Sequence, residues 1–234
     1  MKTIEKIYTS TIPSFKILTL LFLSALFLGS CQKPEEQEPE LQSAVNIVNA
    51  TIGMSQIGFF INGSKIVGDP LKYTEESGYF ITFPGTRNFD VMADGILDYI
   101  LKTNFTFKPN TYHTIFIVGE STSISAFFTD DDLNNPPAGK AKIRFVHLSP
   151  DGGSLVLGLK NGTSLSPEQT YKTASEFATI DSGVYDLQLK TATGTLILEK
   201  NVTIVAGSIY TAWAKGLKAG TANSPLGLQF RSIN

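Results

Sequence analysis

From residue 44 onward, apolar and β-branched runs of five to nine residues recur between clusters of Gly, Pro, Asn and Asp, and no stretch sustains a helical period. The pattern predicts an all-β chain. Strands are expected near 44–50, 56–62, 65–74, 78–83, 86–93, 96–107 and 111–119, with 122–129 closing the set. Asn62-Gly63, Pro84-Gly85, Asp94-Gly95 and Pro109-Asn110 supply the positive or fixed φ that tight turns need.

The pattern then repeats. Val45–Asn49 lines up with Ile143–His147 at an offset of 98, and Asn62, Tyr73, Gly85, Tyr112 and Gly119 meet Asn161, Tyr171, Gly183, Tyr210 and Gly216 at offsets of 97 to 99. Two tandem units of one fold follow, 44–130 and 141–234, joined by a polar linker at 131–140. A lone sheet would leave one apolar face wet, so each unit is expected to be an immunoglobulin-like antiparallel β-sandwich. Leu155, Leu157 and Leu159 are read as one step out of phase with Ile57, Phe59 and Ile61, which predicts a bulge or a loop of different length.

The N-terminus supplies an address. Lys2, Lys6 and Lys16 precede the apolar run Ile17–Leu28, followed by Gly29, Ser30 and Cys31. The run is too short to span about 30 Å of hydrocarbon, so residues 1–30 read as a signal peptide. Leu28-Gly29-Ser30-Cys31 resembles the bacterial lipobox, which implies lipid attachment at Cys31, the sole cysteine. Residues 31–43 then form an acidic tether, with four Glu and two Pro between Gln32 and Glu40. The tether resembles the segment that routes some Gram-negative lipoproteins to the cell surface; a plain spacer is the other reading. The expected partner is therefore a membrane, reached through the anchor, and the expected location is the outer membrane.

Composition narrows the chemistry. The mature chain keeps 16 basic and 20 acidic residues with no basic block, which disfavours nucleic acid. One Cys and two His provide too few soft ligands for a zinc or iron-sulfur site, and no metal or cofactor is expected. Asp130-Asp131-Asp132 invites a calcium reading, but it lacks the spaced order of a dedicated loop and reads as a solvated acidic linker.

The segment Ala141–Asp151, with its Ser149-Pro150-Asp151 turn, resembles the opening of the family called domain of unknown function 4397. The likeness continues through Asn161-Gly162, Ser182–Tyr185 and Val205–Thr211; the first unit resembles a diverged copy that keeps Pro84-Gly85-Thr86 and Tyr112. The resemblance implies envelope β-sandwich domains without an assigned activity.

No catalytic residue is assigned. His113 and His147 lack a nucleophile elbow or a metal-binding helix, Asp151 reads as a turn former, and nothing in the spacing of Glu75, Glu76, Asp98 and Glu176 asks for a carboxylate pair. The expected role is a non-catalytic binding module for a glycan, peptide or envelope protein. A structural or assembly component and a hydrolase are the alternatives. Period-two alternation puts Trp213, the only tryptophan, on the outer face of its strand, opposite Tyr210 and matched to Ile115 in the first unit. There it either lies under a loop or the neighbouring unit, or serves as the ligand contact.

Overall fold

The computed structural model describes residues 41–66, 68–220 and 224–233, so the signal peptide, Cys31 and the stretch to Glu40 lie outside the described residues. Short alternating strands bury one face each by stacking in layers. The first half contains β1 (Ser43–Ile52), β2 (Gln56–Ile61), β3 (Ser64–Lys65), β4 (Leu71–Lys72), β5 (Phe80–Thr82), β6 (Gly85–Ala93), β7 (Tyr99–Phe107), β8 (Tyr112–Glu120) and β9 (Ser123–Asp131). One sheet has the order β5-β1-β8-β9 and the other β3-β2-β6-β7, with β4 also on β2. Val45, Ile47, Phe59, Phe89, Val91 and Ile115 fill the space between them.

The second half repeats the plan with β10 (Lys140–His147), β11 (Leu155–Leu159), β12 (Thr173–Ala174), β13 (Ala178–Asp181), β14 (Gly183–Thr191), β15 (Leu196–Ile204), β16 (Ile209–Lys215) and β17 (Gly227–Ser232). β12 and β13 flank β10, which leads to β16 and β17; β11, β14 and β15 form the facing sheet. Phe145, Leu157, Leu187, Leu189 and Tyr210 lie in its core.

One pairing in each half departs from the all-antiparallel expectation. β1 runs parallel to β8, and β10 parallel to β16. A tight turn can join only antiparallel neighbours; here the chain passes through the facing sheet before it returns, and so arrives in the same direction. The expected strand over 65–74 is also absent as one run. Gly68, Asp69 and Pro70 interrupt it, leaving two short pairings onto β2.

The register corrects two further expectations. Ile57, Phe59 and Ile61 face Ala93, Val91 and Phe89, while Leu155, Leu157 and Leu159 face Thr191, Leu189 and Leu187. The two triplets are in phase, and the extra residue is Lys160 in the turn, so the difference is one of loop length. Bulges do occur, at matching places: the ladder shifts between Val91 and Met92 and again between Leu189 and Lys190. On the parallel strands, Val45 faces His113 whereas Ile143 faces Tyr210. Counting along the strands from there makes Phe116, not Ile115, the counterpart of Trp213. Gly119 and Gly216 end the two strands at φ 105° and 78°; a Cβ would stand 2.1 Å from the Ser123 carbonyl oxygen in one and 2.2 Å from that of Pro225 in the other.

Candidate functional site

In each half the sheet with the parallel pair is apolar on its outer face as well, and that surplus is what joins the halves. Val48, Ala50, Phe116 and Val118 meet Val146, Leu148 and Trp213 in a third buried cluster. Trp213 is 1% exposed, so the exposed-contact reading of this residue is overturned. Alternation assigned its face correctly, but the neighbouring half covers it. From Leu41 on, the chain is one compact unit.

The junction is reciprocal, as expected when two copies of one surface face each other. Tyr73 lies under Lys215, whose Nζ is 5.5 Å from its ring, and burial pushes the Tyr73 hydroxyl up to about 12. Its counterpart Tyr171 reaches back to Ser125 and feels Glu120, and burial raises it too. Ser77 and Ser175 repeat one device: each hydroxyl accepts the N–H of the opening strand, from Ile47 or Phe145 at 2.9 Å, and donates to the carbonyl of the next residue at 2.8 Å.

At one corner the reciprocity fails. Arg144 occupies on β10 the place of Asn46 on β1 and points out of the sheet toward the end of β9. Its Nη1 donates to Asp131 Oδ1 at 2.6 Å, and both side chains are almost wholly buried, at 2% and 0% exposure. Tyr79 and Thr114 each donate to Asp131 Oδ2 at 2.5 Å, and Thr129 donates to Oδ1 at 3.0 Å. Four donors on one carboxylate are what a buried charge needs. Burial and the Asp131 charge push the Tyr79 hydroxyl well above its usual range. Arg144 also lies over the Phe177 ring, 4.8 Å from its centroid.

The middle one of the three consecutive aspartates is therefore not part of a solvated linker, whereas the Asp130 and Asp132 side chains stay 44% and 50% exposed. Asp130 and Asp131 belong to β9 and point to opposite faces. Asp130 pairs with Lys108 and lies 2.9 Å from His113 Nδ1, while Asp132 pairs with Lys142 at 2.6 Å. Burial alone would raise the Asp130 carboxyl, but the Lys108 and His113 contacts hold it below its ordinary value; the Lys142 hydrogen bond does the same for Asp132. Each carboxylate is committed to a different cation. Among the described residues no group of His, Cys, Asp and Glu could hold a metal ion.

Beside this pair opens a cleft of about 780 Å³, floored by Arg144 and Asp131 and walled by Tyr112, Phe127, Glu176 and Phe177. Its reciprocal corner, at Asn46, Tyr79 and Ile233, encloses only about 280 Å³. A further hollow of about 440 Å³ lies along β5 beside Tyr79, Phe80 and Ile81, and shares Asn110, Thr111 and Tyr112 with the large cleft. Tyr112 stands between them, 44% exposed, its ring held edge-on against Tyr79 at 5.4 Å. Sequence reading missed Arg144 and gave Tyr112 no role beyond a repeat landmark. A signal for Arg144 was present: it is a charge inside the apolar run Ile143–Val146, where the other copy has Asn46.

The residues weighed for catalysis are placed apart. His113 is packed between Phe107 and Phe128, with Nε2 accepting the Lys108 N–H at 3.2 Å. His147 holds the Gly153 carbonyl at 2.6 Å and accepts the Ser149 N–H at 3.3 Å; its counterpart Asn49 accepts the Thr51 N–H at 3.0 Å, the same bond two residues on. Burial pulls the His147 imidazole below its ordinary value, against two backbone hydrogen bonds. Asp151 receives the N–H groups of Lys218 and Ala219 at 2.6 and 2.9 Å, pinning the loop after β16. Of the four other carboxylates, Glu176 alone lines the large cleft; Glu76 lines the small one, Glu75 accepts the Lys72 N–H and Asp98 sits beside Lys102 in the β6–β7 turn.

Comparison with curated proteins gives no match. Similar solved structures include a family-26 carbohydrate-binding module from Eubacterium rectale in complex with maltoheptaose, at 10% identity and TM-score 0.28, covering 83% of this chain and 98% of that one. The Bacillus anthracis TIE protein, at 11% and 0.25, covers 75% and 34%. A DUF3823 family protein from Bacteroides ovatus, at 11% and 0.18, covers 70% and 100%. Scores this low carry no argument about function. The model of a domain of unknown function, DUF4397, matches residues 43–158, the whole first half and the opening of the second. The resemblance read mainly from the second unit thus has its match over the first, reaching Asp151 and ending before Asn161. Over those residues the chain is similar to the DUF4397 family.

Proposed function

We propose that the chain is a bacterial lipoprotein, held in the outer membrane by a lipid on Cys31, whose paired sandwiches act as one rigid, non-catalytic binding module of the cell envelope. The observation that carries this reading is the broken reciprocity of the junction. Two corners built from equivalent strands differ, one small and one opened into a cleft of about 780 Å³. Within the cleft the Glu176 carboxylate, the Asn110 carboxamide and the Tyr112 hydroxyl make no hydrogen bond among the described residues. Polar groups left free beside a preformed concavity are what a ligand site requires.

The test has two arms. Intact-mass measurement of membrane-extracted protein should show acylation that Cys31→Ala abolishes; an unchanged acylated species in the variant would remove the anchor. Retention of solubilised envelope components and of an arrayed glycan set should be lost in Glu176→Trp, which fills the cleft mouth. Identical retention by both proteins would remove the cleft as the site.

A spacer or accessory subunit with protein neighbours is the second reading. It is favoured by the β6–β7 turn, which displays Ile96 at 45% and Leu97 at 100% exposure. A partner lost in Leu97→Asp but kept in Glu176→Trp would select it.

A further inference from the structure

The chemistry of the cleft also restricts what can occupy it, given the binding-module reading on which this inference rests. Its charges cancel. Arg144 is matched by Asp131, Lys142 by Asp132 and Lys108 by Asp130, which leaves one unpaired anion, Glu176, and one cation, Lys172. An anionic polymer would meet no excess of positive charge, and a cationic one no excess of negative charge. What the cleft offers instead is flat aromatic surface next to hydrogen-bonding groups. Tyr112 is fixed by its edge contact with Tyr79, and Phe177 is held by Arg144, so neither ring needs to be ordered on binding. Asn110, Thr111 and Glu176 stand within the same lining.

The two hollows adjoin at Tyr112, since both are lined by Asn110, Thr111 and Tyr112. A ligand following them would cross the tyrosine ring as it passes from one to the other. A linear chain of sugar rings fits this arrangement. Each ring has an apolar face that can lie on an aromatic side chain and a girdle of hydroxyls that donate to a carboxylate and accept from an amide. A peptide that adds a strand fits less well; at the end of β9, the edge strand here, Arg144 Nη1 already approaches the Asp130 carbonyl, at 3.5 Å.

We infer that the junction groove binds a neutral oligosaccharide, with Tyr112 as its stacking platform and Glu176 and Asn110 as hydroxyl partners. The test is calorimetric titration of the full chain in detergent with neutral gluco-, manno-, galacto- and xylo-oligomers of two to six units, preceded by an array of the same sugars beside uronic-acid oligomers of equal length. Tyr112→Ala should weaken the best ligand by roughly tenfold or more, Tyr112→Phe should keep most of the affinity, and Glu176→Gln should lose less than Tyr112→Ala. Circular dichroism of each variant guards against misfolding.

Wild-type binding that Tyr112→Ala leaves intact would overturn the inference, as would binding confined to anionic sugars. A peptide or protein ligand lost in Glu176→Trp, with no neutral sugar bound, would overturn the inference and leave the binding-module reading standing. Absence of any ligand dependent on the cleft would remove both.

Discussion

Asn46 and Arg144 stand at the same place on the two opening strands, and the two corners of the junction differ because of them. Asn46 is satisfied within its own half, donating to Glu76 at 3.1 Å, and the corner around it is small. Arg144 crosses to Asp131 in the other half, and the corner around it is a wide cleft. Elsewhere the halves agree in detail, down to the paired bulges and the paired serines. Repetition built the scaffold, and the departure from repetition marks the region with capacity for function.

The most severe way to break this comparison is to remove one partner of the buried pair. Arg144→Ala leaves Asp131 buried and uncompensated and should cost about 3–5 kcal/mol in denaturant unfolding. Asn46→Ala, at the equivalent position, should cost only about 1 kcal/mol, because it removes a partly exposed hydrogen bond. Replacing Arg144 and Asp131 together by Leu should recover only part of the loss, because the hydroxyls of Tyr79, Thr114 and Thr129 then lose their acceptor. Equal costs at the two positions would mean that the corners are energetically alike.

The apolar part of the junction is expected to behave symmetrically. Phe116→Ala and Trp213→Ala each open a cavity in the shared cluster and should each cost about 3–4 kcal/mol. A large loss for one and almost none for the other would show that the two faces do not support each other.

A smaller effect separates the halves by pH. His147 is pulled by burial below its ordinary value of 6.5. As pH falls through 6.5, the unfolded chain takes up a proton that the folded chain still refuses, and stability declines; above 6.5 the group contributes no pH dependence. His147→Asn, which copies Asn49, should flatten unfolding midpoints between pH 7.5 and 5. The carboxyls of Asp130 and Asp132 act in a separate window. Both lie below their ordinary 3.8, so their contribution is complete above that value and is lost only as pH drops further. A midpoint curve that stayed steep in His147→Asn would remove the histidine from this account.

Much of the architecture was legible in the residues. The recurrence of Asn-Gly, Gly and Tyr at one offset reflects turn geometry and buried packing, which leave strong local marks, so the repeat and the all-β class followed. Register was less legible. Tyr112 and Tyr210 invite alignment, yet ladder pairing relates Tyr210 to His113; both point into their cores, and because these strands are apolar on both faces the one-residue difference leaves no mark in the polar pattern. The face of Trp213 was readable from alternation, but its cover was not, because the partner surface lies on strands far away in sequence. Asp131 misled for a similar reason. Three acidic residues before two prolines read as solvated, and only the tertiary fold brings Arg144 to the middle one.

The central claim is that the two sandwiches form one body through their outer faces, and the sole tryptophan reports on it directly. Trp213, 1% exposed in the shared cluster, should emit at short wavelength and resist iodide quenching in the intact chain. Its emission should shift red only together with the loss of the β-sheet circular dichroism signal. A red-shifted, readily quenched tryptophan in a chain that keeps its native β-sheet signal would mean that the halves are not joined through this face.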